Sequence, residues 1–153
     1  MRSSILGLAA IATFSAAPSQ AANLNLADIA VKYVQAQQDV MERSAGAREI
    51  DALLAFYTDD YAYYHPQYGA KVTGRDAQRQ GIQSHLGETA VATIEVKGLL
   101  MSGDIVTLST ETRFTVVSDG RSVVRTGVWV LTFRGNKIAQ RVDVTSLPLK
   151  PVT

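Results

Sequence analysis

The sequence predicts an α+β fold in which three N-terminal helices pack in a curved, mostly antiparallel sheet. Apolar residues recur at helical spacing through the first half of the chain and at every second position from residue 91 onward. Short turns separate the alternating segments, and helices followed by such strands are typical of α+β proteins. Both faces of the sheet carry apolar residues, so we expect one face to wrap around the helices as a cone-shaped barrel.

The first 21 residues predict a secretory signal peptide. Arg2 supplies a positive start, residues 5–14 form an apolar run, and Ser19-Gln20-Ala21 offers small residues at the cleavage positions. The run is too short to cross a bilayer, so we expect a periplasmic or secreted protein with no membrane contact after signal removal. Cleavage after Ala21 would leave one domain, residues 22–153, since no repeat, linker or run of like charges follows.

The composition excludes several classes of function. Loss of the signal peptide removes one of 15 basic side chains and leaves 14 acidic ones, and this balance argues against nucleic acid as a partner. The chain has no cysteine, which excludes a disulfide framework and a thiolate metal site. His65 and His85 alone do not make a metal site, and we predict neither a metal nor a cofactor.

Three helices are predicted from apolar stripes, such as Ile50, Leu53 and Leu54 in the second helix. The predicted helices begin at Asn25 or Asp28, at about Arg48 and at Arg75, and they end near Ala45-Gly46, at Asp59-Asp60 and near Leu86.

A short aromatic strand is predicted after the second helix. Tyr61 to His65 are strand formers, and alternation places Tyr61, Tyr63 and His65 on one face. Pro66 ends this strand because it lacks a backbone donor, and Lys71–Thr73 forms a short return strand.

Four longer strands complete the predicted sheet, and their turns set its register. The strands are Val91–Leu100, Ile105–Ser118, Arg121–Arg134 and Lys137–Ser146. Asp119-Gly120 and Gly135-Asn136 are typical two-residue hairpin loops. The first loop would pair Phe114 with Arg125 and Thr110 with Trp129, and the second would pair Trp129 with Val142 and Val128 with Asp143.

This register assigns the side chains to two faces. The concave face would carry Leu108, Phe114, Arg125, Trp129, Leu131, Phe133, Ile138, Gln140, Val142 and Val144. The outer face would carry Val117, Val124, Val128 and Val130 together with Glu111, Arg113, Arg141 and Asp143. A sheet face that combines valines with side chains of both charges favours self-association, so we expect a homodimer through the outer face. The charged side chains would form a solvated or intersubunit ion-pair network.

Short motifs in the central stretch, residues 49–81, indicate a family. An apolar helix runs into Y-T-D-D, an aromatic strand ends in H-P, and G-R-D-A opens the next helix. This pattern resembles the nuclear transport factor 2-like superfamily, and within it the ketosteroid-isomerase and SnoaL-like polyketide-cyclase group. The resemblance extends over roughly residues 26–146 and implies the same cone-shaped fold.

The resemblance also implies a site inside the cone. In the ketosteroid-isomerase pattern the residue before that proline is the aspartate that moves the substrate proton, and His65 holds this position. The tyrosine that hydrogen-bonds the developing oxyanion falls on Tyr33. The second donor, a protonated aspartic acid, falls near Trp129, which offers only an indole N–H.

Two function classes follow, and both place an apolar molecule in the cone. The first is an exported small-molecule-binding protein; the second is an isomerase, cyclase or lyase with His65 as general base and Tyr33 as hydrogen-bond donor. His65 could instead be a structural histidine, and Tyr33 a core residue. The predicted ligand-binding residues are Tyr57, Tyr61, Tyr63, Phe114, Trp129, Leu131 and Gln140. Binding is favoured because the resemblance supplies one base and one donor rather than a complete catalytic set.

Overall fold

The computed structural model describes residues 20–145 and 150–151, and the side chains of residues 25–145. All but the last two residues of the predicted signal peptide lie outside this range, so export stays a prediction. No helix within the described residues has the length and apolar character needed to cross a bilayer.

The three predicted helices are present, followed by strands as expected. The helices are α1 (Gln20–Asp39), α2 (Ala47–Leu54) and α3 (Arg75–Ser84), and a short 3₁₀ turn spans Pro66–Tyr68. The strands are β1 (Tyr57–His65), β2 (Ala70–Thr73), β3 (Thr89–Ser102), β4 (Ile105–Val116), β5 (Ser122–Arg134), β6 (Lys137–Thr145) and β7 (Lys150–Pro151). The first helix ends earlier than predicted, since turns occupy the residues just before Ala45-Gly46.

The predicted helix stop at Asp59-Asp60 is wrong, because both residues lie inside β1. The strand begins at Tyr57, directly after Phe56, whose carbonyl accepts a hydrogen bond from Ile138 N of β6 at 2.8 Å. Both aspartates are exposed, and each forms its own ion pair at the surface, Asp59 with Arg75 and Asp60 with Arg134.

The sheet is mixed and has the order β2-β1-β6-β5-β4-β3, with β7 added beside β5. The first and sixth strands run parallel, and the other neighbours are antiparallel. The sheet does not close into a barrel, and with its three helices it forms an α+β cone-like fold. Buried side chains of the first two helices, such as Tyr33 and Leu53, form one apolar core with those of β1 and β4–β6.

The β4–β5 hairpin has a longer loop than the predicted Asp119-Gly120 turn. Val116 N donates to the carbonyl of Arg121 at 2.9 Å, so four residues, 117–120, form the loop. Leu108 therefore pairs with Trp129, and Thr112 with Arg125. This is a shift of two positions from the predicted register, and an even shift keeps each side chain on its face.

The β5–β6 hairpin has the predicted Gly135-Asn136 turn but not the predicted register beyond it. Phe133 pairs with Ile138, yet Thr132 pairs with Gln140, so Ala139 is an extra residue that forms a β-bulge. A shift of one position sends every later side chain of β6 to the opposite face.

The faces predicted for β6 are therefore wrong after the bulge. Trp129 pairs with Asp143 and Leu131 with Arg141, so Arg141 and Asp143 lie on the concave face rather than the outer one. Conversely, Gln140, Val142 and Val144 point outward, and Gln140 and Val144 are exposed.

Candidate functional site

A continuous chain of hydrogen-bonded side chains crosses the interior of the cone. Gln37 Nε2 donates to Tyr57 Oη (3.0 Å), and Tyr57 Oη lies 3.1 Å from Tyr33 Oη. Arg141 Nη1 donates to Tyr33 Oη (2.9 Å), while Arg141 Nη2 donates to Asp143 Oδ2 (2.6 Å). Thr145 Oγ1 donates to Asp143 Oδ1 (3.1 Å) and lies 3.3 Å from His65 Nε2. The bulge at Ala139 creates this chain, because it turns the three polar residues of β6 inward.

Arg141 and Asp143 form a buried ion pair at the centre of the chain. Their side chains are 7% and 4% exposed, and the guanidinium carbon lies 3.9 Å from the centroid of the Trp129 ring. Burial lowers the pKa of Arg141, but Tyr33 and Asp143 outweigh it and raise that pKa well above its ordinary value. Arg141 thus stays charged against the aromatic face of Trp129, and the pair has two polar neighbours, Tyr33 and Thr145.

His65 is held at the end of this chain with one ring nitrogen free. The hydroxyl of Thr145 has a single proton, and it is donated to Asp143, so Thr145 Oγ1 must accept the bond from His65. Nε2 of His65 therefore carries a proton, and in the neutral imidazole Nδ1 keeps an unshared lone pair. Nδ1 is buried and has no hydrogen-bond partner among the described residues. The arrangement orients an imidazole as a hydrogen-bond acceptor or a base.

Buried side chains form the floor of the cone, which we define as Tyr33, Tyr57, Tyr61, Trp129 and Leu131. Tyr33, Tyr57 and Tyr61 are at most 2% exposed, and the rings of Tyr57 and Tyr61 stack with centroids 3.8 Å apart. Burial raises the pKa of Tyr57 and Tyr61 well above the ordinary 10.0, so both hydroxyls remain protonated at neutral pH. Tyr33 packs edge-on against Trp129 at 6.2 Å, and its oxygen accepts the bond from Arg141. The floor is a packed core rather than an open chamber.

The predicted site residues divide between this floor and the mouth of the cone, which we define as Tyr63, His65, Tyr68, Phe114 and Arg125. The predicted residues that belong to the floor are Tyr33, Tyr57, Tyr61, Trp129 and Leu131. Tyr63 and Phe114 are half-buried, and the exposed Tyr68 ring lies 4.4 Å from the His65 ring. Gln140, predicted to bind ligand from the concave face, faces outward because of the bulge, so its predicted place on that face is wrong.

Sequence reasoning did not single out Gln37 or Thr145, and it placed Arg141 and Asp143 on the outer face. The signal that could have found the last three is their alternation, since Arg141, Asp143 and Thr145 share one face of a strand. No feature of the sequence indicated a role for Gln37, because glutamines are common on the exposed faces of helices. The structure contains no cluster of three or more histidine, aspartate or glutamate side chains suited to a metal within the described residues.

Clefts lined by the described residues open on the outside of the molecule. One lies beside Gly74 and Arg75, a second beside Asp60 and Arg134, and a third beside Gly87 and Val117. None of these three includes His65, Tyr63 or Phe114. A small molecule that used His65 would lie beside the half-buried aromatic side chains of the mouth, since the tyrosines of the floor are packed.

Comparison with known proteins agrees with the fold. The SnoaL-like domain model matches residues 34–141. No curated protein matches the chain. Among solved structures, an NTF2-like protein from Burkholderia pseudomallei is 20% identical, with 78% of this chain and 88% of that chain covered and a TM-score of 0.64.

Two further solved structures are similar to the chain. A Catenulispora acidiphila protein with a ketosteroid isomerase-like fold, in complex with trimethylamine, is 20% identical over 76% of this chain and 86% of that chain (TM-score 0.62). An epoxide hydrolase of the LEH-like type from M. tuberculosis is 13% identical over 78% and 84%, also with a TM-score of 0.62. At these identities the likeness establishes the fold alone.

Proposed function

The chain belongs to the SnoaL-like domain family, and on this premise we propose that it is an exported protein that binds an apolar small molecule at the mouth of its cone. The supporting observation is that half-buried Tyr63 lies 6.3 Å, centroid to centroid, from His65, whose buried Nδ1 is unpaired, with half-buried Phe114 on the same face of the sheet. Ligand sites are mostly apolar and contain a few oriented polar groups, and the mouth has this composition.

Native mass spectrometry of the protein isolated from its own host tests this proposal. We expect a chain that begins at Ala22, or one residue later, because the signal peptide is removed on export. We also expect part of the population to carry the added mass of a small molecule, released on denaturation. Full-length protein retained in the cytosol would contradict export, and a bare chain in every gentle preparation would contradict bound ligand.

A specific observation favours catalysis as a second candidate function. An imidazole fixed through Nε2 by Thr145 and Asp143 has the geometry of a general base, with its Nδ1 lone pair unshared. We propose that, if the protein is an enzyme, it is of the isomerase, cyclase or lyase kind and that His65 moves the proton. Tyr33 is the other predicted catalytic residue, and its hydroxyl oxygen accepts a hydrogen bond from Arg141 Nη1. Tyr33 would then act by positioning Arg141 rather than by touching substrate.

The outer face of the sheet supports a homodimer. With the bulge included, Val128 pairs with Val144 and Val130 pairs with Val142, so four valines lie together on this face. Val128 and Val144 are 38% and 44% exposed. The face is more apolar than the sequence register predicted, because Arg141 and Asp143 no longer belong to it. We propose that a second copy of the chain covers these valines.

Val128→Asp should convert that dimer to a monomer. The substitution would bury an unpaired carboxylate between two copies, and the desolvation of an unpaired charge opposes association. Sedimentation velocity at micromolar concentration measures the change. The matched control is Val91→Asp, at a 75% exposed position of the edge strand β3, which should leave the mass unchanged. A monomeric wild type would rule out the dimer.

A further inference from the structure

Arg125 is a cation on the concave face without an acidic partner. All 14 aspartate and glutamate side chains lie between residues 28 and 143, which the structure describes in full. None of these carboxylates forms an ion pair with Arg125 within the described residues. No side-chain carboxylate of its own chain therefore neutralises this guanidinium.

Arg125 lies near two aromatic residues of the mouth, Phe114 and Tyr63. It pairs across the strands with Thr112 on the concave face, and its guanidinium carbon lies 6.0 Å from the centroid of the Phe114 ring. Burial raises the pKa of Tyr63, and the nearby charges of Arg141 and Arg125 oppose the rise. Arg125 is half-buried, so its charge is partly removed from water without compensation from a side-chain carboxylate of the described residues.

The second arginine of the concave face differs in this respect. Arg141 lies deeper and is neutralised by Asp143 at 2.6 Å, and it donates a further hydrogen bond to Tyr33. In its neutral form His65 donates through Nε2 to Thr145 and carries no charge. The ionised side chains named on this face are then Arg125, Arg141 and Asp143, and they leave one uncompensated positive charge, located at the mouth.

We propose that the ligand is an aromatic or other apolar carboxylic acid and that Arg125 binds its carboxylate. This inference rests on the proposed function and names the ligand class for the same site. The planar guanidinium fork matches a carboxylate in two parallel hydrogen bonds. The apolar body of the ligand packs on Phe114 and Tyr63, with its far end toward Nδ1 of His65.

A pair of probes that share one ring system separates charge from apolar contact. The anionic probe is 2-naphthoate, the neutral probe is 2-naphthylmethanol, and isothermal titration calorimetry measures both affinities. We expect wild type to bind naphthoate at least tenfold more tightly than the alcohol, because a hydrogen-bonded ion pair adds that much. Arg125→Gln should weaken naphthoate binding roughly tenfold to a hundredfold and leave the alcohol unchanged.

Two further variants serve as a control and as a conservative replacement. Arg113→Gln removes an exposed arginine on the outer side of β4 and should change neither affinity. Arg125→Lys keeps the charge but loses the planar fork, so naphthoate affinity should be intermediate; this variant also replaces Arg125→Gln if the latter does not fold.

The outcomes distinguish this inference from the proposed function. Equal binding of naphthoate to wild type and a folded Arg125→Gln would overturn the carboxylate inference, and tight binding of the alcohol would still support an apolar site. Failure of wild type to bind either probe would overturn the inference, and the native mass spectrum would then decide on ligand binding separately.

Discussion

Asp143→Ala is expected to lower the free energy of unfolding by about 3–5 kcal/mol, the cost of leaving one partner of a buried ion pair alone. Arg141 would remain buried against Trp129 with its charge uncompensated, and Thr145 would lose the acceptor for its hydroxyl proton. Chemical denaturation followed by the fluorescence of Trp129, the only tryptophan of the chain, measures the loss.

A control variant and a double variant test whether the loss of stability comes from the unpaired charge. Asp59→Ala removes an exposed ion pair with Arg75 and should change stability far less, since surface pairs contribute little. Arg141→Met combined with Asp143→Leu should recover most of the loss, because neither charge is then left alone. If Asp143→Ala were as mild as Asp59→Ala, Asp143 would face solvent, as the unbroken hairpin register predicts, and the bulge at Ala139 would be wrong.

His65→Ala should reduce turnover by about two to four orders of magnitude if the protein is an enzyme, as expected for the loss of a general base. Binding should remain largely intact, because Tyr63, Phe114 and Arg125 supply the contact area and charge. Trp129→Ala should differ, since it removes the ring beneath Arg141 and should weaken stability and binding together. Turnover, affinity and melting temperature must be measured on the same samples.

His85 supplies the matched control for His65. It is exposed and forms a surface pair with Glu88, so His85→Ala should leave turnover unchanged. His65→Gln is the gentler variant, because the amide still donates to Thr145 but has no basic nitrogen. Full turnover in a well-folded His65→Gln would eliminate the catalytic role and leave the binding function standing.

Sequence periodicity was sufficient for the fold and for most of the concave face. The helical stripe of α2 and the alternation of Tyr61, Tyr63 and His65 are confirmed by burial. The predicted β4–β5 loop was two residues too short, but this did not change the assignment of side chains to faces. The resulting register shift is even, so Phe114 and Trp129 remain on the predicted face.

The β5–β6 register could not be predicted from the same pattern. A register with Val142 and Val144 inside and Arg141 and Asp143 outside satisfies the usual preference for apolar cores. The bulge residue is Ala139, and an alanine does not indicate a bulge in the sequence as a glycine would. The structure instead buries Arg141 and Asp143, which is tolerable because each is paired and hydrogen-bonded. Functional sites are where such local rules are most often broken.

The tautomer of His65 is the most direct measure of whether Asp143 and Thr145 hold a free base at the mouth of the cone. Long-range proton–nitrogen NMR correlations at about pH 8, where an ordinary histidine is neutral, report which ring nitrogen carries the proton. The chain has two histidines, and His85→Gln assigns their signals. We expect a proton on Nε2, a bare Nδ1, and an Nδ1 signal that shifts when 2-naphthoate is added. A proton on Nδ1 with a bare Nε2, unaffected by Thr145→Val, would contradict this arrangement.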